Sequence, residues 1–559
     1  MSKLPFECLQ TIFHELDEKA LYSSILVNRA WCQIAIPLLW SSPFHFLHKS
    51  DNNYSMAIYS TSLSSNSSTI LIQTYLRCFP EAIQASLIEN GLMLPPSIIQ
   101  SLPPLFPYDK YIRSISYSKM YHVISEWFES EIDDLEDIDE REGLEYLVTE
   151  KLIRLFISSS LSITDLSLTD EDGIPSLPPI SLFPNAENSL SKLVKFTCIG
   201  DYQYNMKDLF ISLTGISRNI KEIIIGGLST SIEIKLFGKL IKSQRALKSI
   251  EILGNGPIDL QMISLDILQP LKTQQYSLEN IRFMNCDFEE CATLYPITFL
   301  PMLKSIEFEK CRNLALQDLT SLDMKKLPKL QIFKTRESYI PPYTLEAIIC
   351  NSHESLRVAE LSRKLSQDES RILLSRIPSR CTRLEVLDIR IYQEDIGSFL
   401  NLLKYCENLR ELTVFGDVYA EELLPLIALN LRSKHLQKLC FIGRWVFSKT
   451  SMNTFLQGFK SKEKFRELQV SQGQVGSEIT NQERIIICKP PKILKFQSND
   501  VINNDHLDVI VDWVFSEKSI KNGKCDLEKL ELVWCQKLSH DVLQRTKCLY
   551  GLVVEIKNY

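Results

Sequence analysis

The sequence predicts a protein of the α/β class, in which a small helical region precedes a long series of repeated strand-and-helix units. Two observations support this prediction. The first forty residues carry apolar residues at helical spacing, and short alternating apolar runs recur at a near-constant interval from about residue 160 onward. A chain of 559 residues is too long for one compact core. We therefore expect helices over 1–45, a helical spacer over 46–160 and a repeat array over 161–559.

The N-terminal segment predicts three short helices. Pro5 suits the first turn of a helix, where its missing N–H has no partner to lose. A second helix is expected near residues 20–30, and a third short one over 34–40, which Pro37 interrupts or kinks. Three short helices bury little surface, so apolar surface left over would need a partner. One apolar face of the first helix is predicted at i, i+3, i+4 and i+7: Leu9, Ile12, Phe13 and Leu16.

The spacer is less regular. Residues 61–69 are rich in serine and predict a flexible loop or linker, whereas residues 70–90 and 144–157 show helical patterns. An acidic run over 126–142 is interpreted as a solvated loop or helix face, with attraction of a basic partner as the alternative. This segment would join the N-terminal helices to the repeats.

The repeats follow the pattern L-x-x-L-x-L, with other apolar residues allowed. The alternation predicts a short strand with one buried face in each unit, and the mean interval is 28 residues. One unit alone leaves its apolar side bare, and stacking of neighbours covers it. We therefore expect about 13 to 14 irregular units. The predicted units begin at Ile163, Leu193, Ile220, Leu247, Leu278, Leu303, Leu330, Leu356, Leu384, Leu409, Leu436, Phe465, Ile493 and Leu527.

The composition and the motifs of the sequence exclude several classes of function. The net charge of −7 argues against a nucleic-acid binder, which usually shows a basic face. The sequence shows neither a secretory signal nor an apolar run of membrane-spanning length, so we expect no membrane association. The 15 scattered cysteines then indicate free thiols in the cytoplasm, the nucleus or both. Nucleotide-binding, zinc-protease and serine-hydrolase motifs are missing from the sequence, so we expect no enzyme activity, no cofactor and no metal.

The N-terminal motifs resemble an F-box. They are Leu4-Pro5-x-Glu7, the pair Ile12-Phe13, the run Leu26-Val27-Asn28-Arg29-x-Trp31, and the closing Pro37-Leu38-Leu39-Trp40. A helical cap of a larger fold is the alternative interpretation, but a cap does not require this order of residues. The later pattern resembles leucine-rich repeats, which form a horseshoe-shaped solenoid. Cys286 and Cys311 stand at the ninth position of their units, as in the cysteine-containing repeats common in F-box proteins, and are interpreted as buried structural thiols.

The resemblance implies a substrate-recognition adaptor of an SCF-type (Skp–cullin–F-box) ubiquitin ligase. Its partners would be a Skp-type linker, through it a cullin and a RING subunit, and an unknown protein substrate. A non-ligase scaffold protein is the alternative. Some of the candidate linker-binding residues must instead hold the three helices together, and both roles remain open here. These candidates are Leu4, Pro5, Leu9, Ile12, Phe13, Leu26, Val27 and Trp31.

In a leucine-rich-repeat solenoid, the strand residues between the buried ones point to the concave face. In the middle of the array these positions are charged, which predicts either a site for a charged protein surface or an ordinary polar face. Trp445 and Trp534 follow their strands and are candidates for exposed anchors or for packing in the turn. The candidate substrate-binding residues are Arg282, Glu307, Glu309, Lys334, Arg336, Glu360, Asp388 and Arg390.

Overall fold

The computed structural model has a mixed α/β fold and divides into two compact units, Met1–Leu278 and Glu279–Tyr559. Each unit combines helices with a parallel sheet. The residues that the structure describes are 5–44, 65–99, 103–132, 138–169, 177–200, 206–254, 261–289, 294–314, 327–352, 354–361, 365–433, 435–459, 492–497, 499, 502, 504–520, 527, 529–533 and 553–557.

The first unit begins with helices and continues as alternating strands and helices. Its helices are α1 (Phe6–His14), α2 (Glu18–Ile25), α3 (Arg29–Leu39), α4 (Ser65–Leu76), α5 (Glu81–Glu89), α6 (Pro96–Ile99), α7 (Tyr117–Glu131), α8 (Ile138–Ser159), α9 (Ala186–Ser189), α10 (Met206–Ile216), α11 (Ser231–Ser243) and α12 (Leu265–Leu271). Its strands are β1 (Ser114–Ser116), β2 (Asp165–Thr169), β3 (Lys195–Ile199), β4 (Glu222–Gly226), β5 (Ser249–Leu253) and β6 (Gln261–Met262).

The second unit repeats the alternation. Its strands are β7 (Asn280–Met284), β8 (Cys286–Asp287), β9 (Ser305–Glu309), β10 (Ile332–Arg336), β11 (Val358–Glu360), β12 (Val386–Arg390), β13 (Glu411–Phe415), β14 (Val418–Tyr419), β15 (Lys438–Ile442), β16 (Trp445–Val446), β17 (Ile493–Gln497), β18 (Lys529–Val533) and β19 (Val553–Lys557). Its helices are α13 (Pro342–Ser352), α14 (Gln367–Arg380), α15 (Ile396–Tyr405), α16 (Leu423–Asn430), α17 (Lys449–Gln457) and α18 (Asn504–Ile520).

The strands of each unit are parallel and lie in chain order. In the first unit β1 to β5 pair in sequence, and in the second unit the order is β7, β9, β10, β11, β12, β13, β15, β17, β18 and β19. The order never returns to an earlier strand, so the described sheet is not closed. From α10 to α12 in the first unit and from α13 to α18 in the second, successive helices pack on one another, for example α10 on α11 and α14 on α15.

One backbone contact recurs between neighbouring strands of both units. A carbonyl just before one strand accepts hydrogen bonds from two successive N–H groups at the start of the next. Thr164 O accepts from Val194 at 2.8 Å and Lys195 at 2.9 Å. Arg357 O accepts from Glu385 at 2.7 Å and Val386 at 2.9 Å in the second unit. The contact sets the register of each strand on its neighbour, and the register decides which side chains face the core.

Two buried glutamine side chains tie successive turns of the first unit together. Gln244 accepts a hydrogen bond from the N–H of Ile220 at 3.0 Å and donates to Ser217 O at 2.9 Å. Gln274 repeats this one unit later, accepting from Leu247 N–H at 3.2 Å and donating to Gln244 O at 2.9 Å. Buried backbone groups at the strand starts are thereby satisfied, which removes the cost of leaving them unpaired.

The predicted strand positions are confirmed for twelve of the fourteen units, because each of these strands begins two residues after the predicted start. The unit predicted to begin at Ile493 is out of register by two residues, since Ile493 pairs with Lys438 as the first residue of its strand. The unit at Phe465 lies outside the described residues. Strands β1 and β19 lie before the first and after the last predicted repeat and were not predicted, nor were the two-residue strands β6, β8, β14 and β16.

Two predictions about the first 90 residues are wrong in detail. Residues 65–69 were expected in a loop but form the first turns of α4, where the Ser68 hydroxyl donates to Glu126 at 2.6 Å. The predicted second helix ends at Ile25, and α3 then runs through Pro37 to Leu39. Asn28 separates the two helices, because its side-chain oxygen accepts the Trp31 N–H at 2.9 Å as an N-cap.

Gly443 directly follows β15 with φ at 106°, and an added Cβ there would clash with Gly416 O. We expect Gly443→Ala to destabilise the second unit by about 2 kcal/mol or more, because it adds both backbone strain and a clash with the neighbouring turn. Urea unfolding followed by circular dichroism measures this loss.

Gly397→Ala is the matched control for that experiment. Gly397 lies in α15, and an added Cβ there would meet nothing within 4 Å. We expect this variant to gain up to about 1 kcal/mol, because alanine favours the helix. Equal stability of the two variants would contradict the strained turn at Gly443.

Candidate functional site

The N-terminal module, defined here as residues 5–44, is built around a small apolar core. Phe13, Leu21, Ile34 and Ala35 are buried at its centre, and the Phe13 ring meets the Trp31 ring edge to face at 5.2 Å. Further apolar side chains pack against this core while remaining partly exposed: Leu9, Leu16, Ile25, Trp31, Leu38 and Leu39. Of the candidate linker-binding residues, Leu9, Phe13 and Trp31 therefore hold the three helices together.

A second set of apolar side chains in the module faces solvent. Leu26 is 76% exposed, Val27 is more than half exposed, and Ile12 is nearly half exposed. Pro5 is also exposed, and Leu4 lies outside the described residues. Tyr22 joins this set and lies one helical turn before Leu26, on the same helix face. Burial of such side chains against a partner would be favourable, at about 25 cal/mol for each Å² of apolar surface.

Phe6 and Tyr22 are the members of this set that sequence reasoning missed. Both are about half exposed or more, although they are large and apolar. Helical spacing did not reveal them, because Phe6 lies three and seven residues before the packed Leu9 and Phe13, and Tyr22 lies three before the packed Ile25. The apolar residues of so small a module exceed what its core can hold.

The module is fixed to the remainder of the first unit by an aromatic cluster. Trp40 lies 4.0 Å from the Tyr108 ring and 5.5 Å from the Tyr75 ring, measured between ring centroids. Phe44 stacks on Tyr75, which also meets Phe156 of α8 at 4.8 Å. Burial raises the pKa of the Tyr75 hydroxyl well above its ordinary value.

Backbone hydrogen bonds reinforce this attachment. Ser41 O accepts the N–H of Arg113 at 2.9 Å and that of Ser114, the first residue of β1, at 3.0 Å. The end of the module thus forms the same bifurcated contact that joins successive strands. The exposed apolar side chains are therefore held in a defined orientation to the first strands of this unit.

A second candidate site, called the strand face here, lies on the second unit. Parallel register places five of the candidate substrate-binding residues side by side on five neighbouring strands, β7 and β9 to β12. They alternate with the buried positions of the same strands, as the repeat pattern predicts. This row consists of Arg282, Glu307, Lys334, Glu360 and Asp388. A second row, two residues further along the strands, includes Glu309 and its partner Arg336, and Arg390 occupies the same position on β12.

Opposite charges on the strand face pair with each other. The Arg282 guanidinium lies 2.9 Å from the Glu309 carboxylate, and Lys334 and Arg336 reach Glu360 at 3.2 and 2.6 Å. Each such partly exposed pair adds only about 0–1 kcal/mol to stability. The eight candidates comprise four cations and four anions, so the strand face combines both signs rather than presenting one.

Asp388 departs from this pattern. It stands beside Glu360 in register, so two carboxylates are neighbours without a cation between them in the row. Burial raises the pKa of Asp388 to about 6, the Thr413 hydroxyl opposes the rise by a hydrogen bond, and the charge of Glu360 adds to it. The charge of Asp388 therefore changes at mildly acidic pH.

Trp445 is not an exposed anchor. Its side chain is fully buried, its indole N–H donates to Ile442 O at 3.4 Å, and its ring lies 4.8 Å from that of Phe441. The alternative, packing in the turn, is confirmed for this residue. Trp534 lies outside the described residues.

The prediction that the cysteines at the ninth position of their units are buried is confirmed for Cys286 and Cys311. Within the described ranges, no group of three or more His, Cys, Asp or Glu side chains is arranged to hold a metal ion. Likewise, none of the helices that the structure describes combines the length and apolarity needed to cross a membrane.

Comparison with known proteins identifies the module alone. An F-box-like family model matches residues 1–45 and does not extend to the strand repeats. No curated protein matches the chain. The match covers α1 to α3, which carry both the small core and the exposed apolar side chains.

We expect Asp388→Asn to change the pH dependence of stability. Between pH of about 4 and 6 the folded protein holds a proton on Asp388 that the unfolded chain has released, so stability falls as pH rises through this window. Replacement by asparagine should raise the free energy of unfolding at pH 7 by about 1–3 kcal/mol and have little effect at pH 4. Urea unfolding at both pH values tests this.

Asp368→Asn is the control for this charge removal, because Asp368 is an exposed residue of α14. We expect its stability to follow that of the wild type at both pH values. An Asp388→Asn variant that also follows the wild type would show that Asp388 is ionised at no cost in the folded state.

Proposed function

We propose that this chain is a substrate-recognition adaptor of an SCF-type ubiquitin ligase, with its F-box-like domain bound to a Skp-type linker. The linker would connect it to a cullin and a RING subunit. The observation that carries the proposal is the exposed apolar set of the matched domain, which includes Ile12, Leu26 and Val27. F-box domains in general bind Skp-type linkers, and these side chains offer the apolar surface that such binding needs.

The division of apolar residues gives each group a separate role in this proposal. Phe13 and Trp31 pack in the core of the module. Leu26 and Val27 lie in the turn between α2 and α3, where a partner can contact them. Pro5 and Ile12 are exposed on α1 or at its start. Linker binding then buries side chains that contribute nothing to the module's own core.

We further propose that the strand repeats form a leucine-rich-repeat solenoid whose strand face binds a protein substrate. Three observations support this: parallel strands in chain order, buried residues at alternate strand positions, and buried Cys286 and Cys311 after successive strands. Because most charges on the strand face are already paired, a substrate must exchange existing ion pairs for new ones. Such exchange contributes to specificity more than to affinity.

In this proposal the chain performs no chemistry of its own. It holds a substrate near a ubiquitin-conjugating enzyme recruited by the RING subunit, and proximity then raises the effective concentration of the reacting groups. Neither a cofactor nor a nucleic acid takes part, and the compartment is the cytoplasm, the nucleus or both.

The proposed linker-binding surface is tested with a double variant, Leu26→Asp together with Val27→Asp. Both side chains are exposed, so the fold should persist, but a carboxylate placed against an apolar partner surface costs several kcal/mol of binding. We expect at least a hundredfold weaker binding of purified Skp-type linker by calorimetry. Cullin should also be lost from material co-purified with the tagged full chain.

Leu161→Asp is the matched control, since Leu161 is 75% exposed and lies outside the F-box-like domain. It should retain linker and cullin. Unchanged linker binding by the double variant would overturn the docking site. A wild-type chain that binds linker without cullin would instead favour the non-ligase scaffold.

The strand face is tested by Arg336→Glu. This change replaces the ion pair with Glu360 by repulsion, so proteins that recognise the face should be lost while linker and cullin remain. Quantitative mass spectrometry of co-purified proteins, with ubiquitin transfer blocked to retain substrates, measures the difference.

Arg376→Glu supplies the control, because both arginines are about half exposed and each pairs with one glutamate, here Glu346. Arg376 lies on α14 rather than on a strand. Identical sets of co-purified proteins for the two variants would show that the strand face does not select the substrate.

A further inference from the structure

Cys286 and Cys311 follow two neighbouring parallel strands at the same position. Strands β7 and β9 end at the register partners Met284 and Glu309, and each cysteine comes two residues later. Hydrogen bonds continue beyond the strand ends, from Asn285 N–H to Glu309 O at 2.8 Å and from Arg312 N–H to Cys286 O at 2.9 Å. The two cysteines therefore keep the spacing of paired strands.

The residues before the cysteines give both the same backbone direction. Asn285 has φ at 52° and Lys310 has φ at 53°, which is the left-handed conformation. Matching turns in matching register place the two cysteines side by side. Neighbouring parallel strands are about 4.8 Å apart, which lies within the Cα separation of about 4.4–6.8 Å found in disulfides.

The two thiols are joined by a hydrogen bond, and their pKa values are shifted in opposite directions. Burial raises the pKa of Cys286 well above its ordinary value, and the hydrogen bond with Cys311 raises it further. Burial has the largest single effect on the pKa of Cys311 and acts to raise it, but hydrogen bonds with Cys286, Glu309 and Ser338 together outweigh burial and leave this pKa below its ordinary value. One sulfur is thus suited to be the nucleophilic thiolate while the other keeps its proton.

We propose that Cys286 and Cys311 form an oxidisable thiol pair that a hydroperoxide converts into a disulfide within the chain. The Cys311 sulfur attacks one peroxide oxygen, the O–O bond breaks, and the leaving hydroxide takes a proton to become water. The Cys286 sulfur then attacks the Cys311 sulfenic acid, the S–O bond breaks, and a second water leaves with the Cys286 proton. Two thiols lose two electrons and one peroxide gains them.

Burial limits the reaction to small oxidants. Both cysteines are almost completely buried, so we expect oxidation by hydrogen peroxide, which is close to water in size, and not by a larger disulfide reagent. The reaction links two neighbouring strands of the strand face without requiring that this face bind a substrate. The inference therefore stands apart from the proposed function.

Cys381 and Cys406 provide an internal control. They are also buried, follow each other in successive units, and are 25 residues apart, as are Cys286 and Cys311. Burial raises the pKa of both control thiols to about 12, so neither is a ready nucleophile. If the pKa of the attacking thiol controls oxidation, Cys286 and Cys311 should be oxidised and Cys381 and Cys406 should not. If burial or spacing controls it, both pairs should be oxidised alike.

The test is peptide mapping of the purified full chain after hydrogen peroxide treatment, catalase quenching, denaturation and alkylation of the remaining thiols. It is done in a Cys291→Ser background, because the tryptic peptide 283–304 contains both Cys286 and Cys291. We expect a Cys286–Cys311 linked peptide two hydrogens lighter than its parts. It should disappear on reduction, while Cys381 and Cys406 remain alkylated.

Two outcomes would overturn the proposal. One is full alkylation of Cys286 and Cys311 after peroxide, or conversion of Cys311 to sulfinic acid without a link. The other is a Cys381–Cys406 link that forms equally fast. A Cys311→Ala variant should leave Cys286 reduced, and the mapping of the parent chain decides the question even if this variant fails to fold.

Discussion

The bifurcated hydrogen bond between successive strands is the constraint on which the rest of the structure depends. At most of the described strand pairs one carbonyl before a strand accepts two N–H groups at the start of the next strand, as Thr164 does from Val194 and Lys195. The same contact joins the N-terminal module to β1 through Ser41. Since a shift of one residue would turn every side chain of a strand to the opposite face, this contact decides which residues form the core and which reach solvent.

The strand face is a direct consequence of that register. Arg282, Glu307 and Lys334 belong to different units, yet they become neighbours because each occupies the same strand position. Most of the resulting charges find partners in the next strand. Asp388 instead lies beside Glu360, which carries the same charge. Burial of the Asp388 carboxyl raises its pKa to about 6. Burial at this strand position, with a smaller contribution from the charge of Glu360, thus gives Asp388 an unusual protonation equilibrium.

The module and the repeats use apolar residues in different ways. In the repeats, nearly every alternate strand residue is buried between the sheet and the packed helices, as Leu387 and Ile389 are in β12. In the module, three short helices cannot enclose all their apolar side chains, and Leu26 and Val27 remain outside. The aromatic contacts of Trp40 and Phe44 attach the module, with these exposed apolar side chains, to the remainder of the first unit. The attachment therefore fixes the position of apolar side chains that the module's own core does not enclose.

Much of the fold could be predicted from the sequence because strand alternation is local. A run such as Leu303-Lys-Ser-Ile306-Glu-Phe308 identifies its own buried face, so strand positions and the charged residues between them follow directly. Ile493 shows the limit of that reasoning. Its apolar run fits the repeat pattern in two registers, and only hydrogen bonding to the strand of Lys438 selects one of them.

The N-terminal helices show the same limit for the candidate site. Helical spacing groups Ile12 with Phe13, but the packing of α1 against α3 buries Phe13 and leaves Ile12 outside. The sequence by itself determined the α/β class, the strand positions and the F-box-like motif, because each depends on the spacing of nearby residues. Only the tertiary structure decided which apolar residues face solvent and which charges meet across strands, because these depend on contacts between residues distant in the chain.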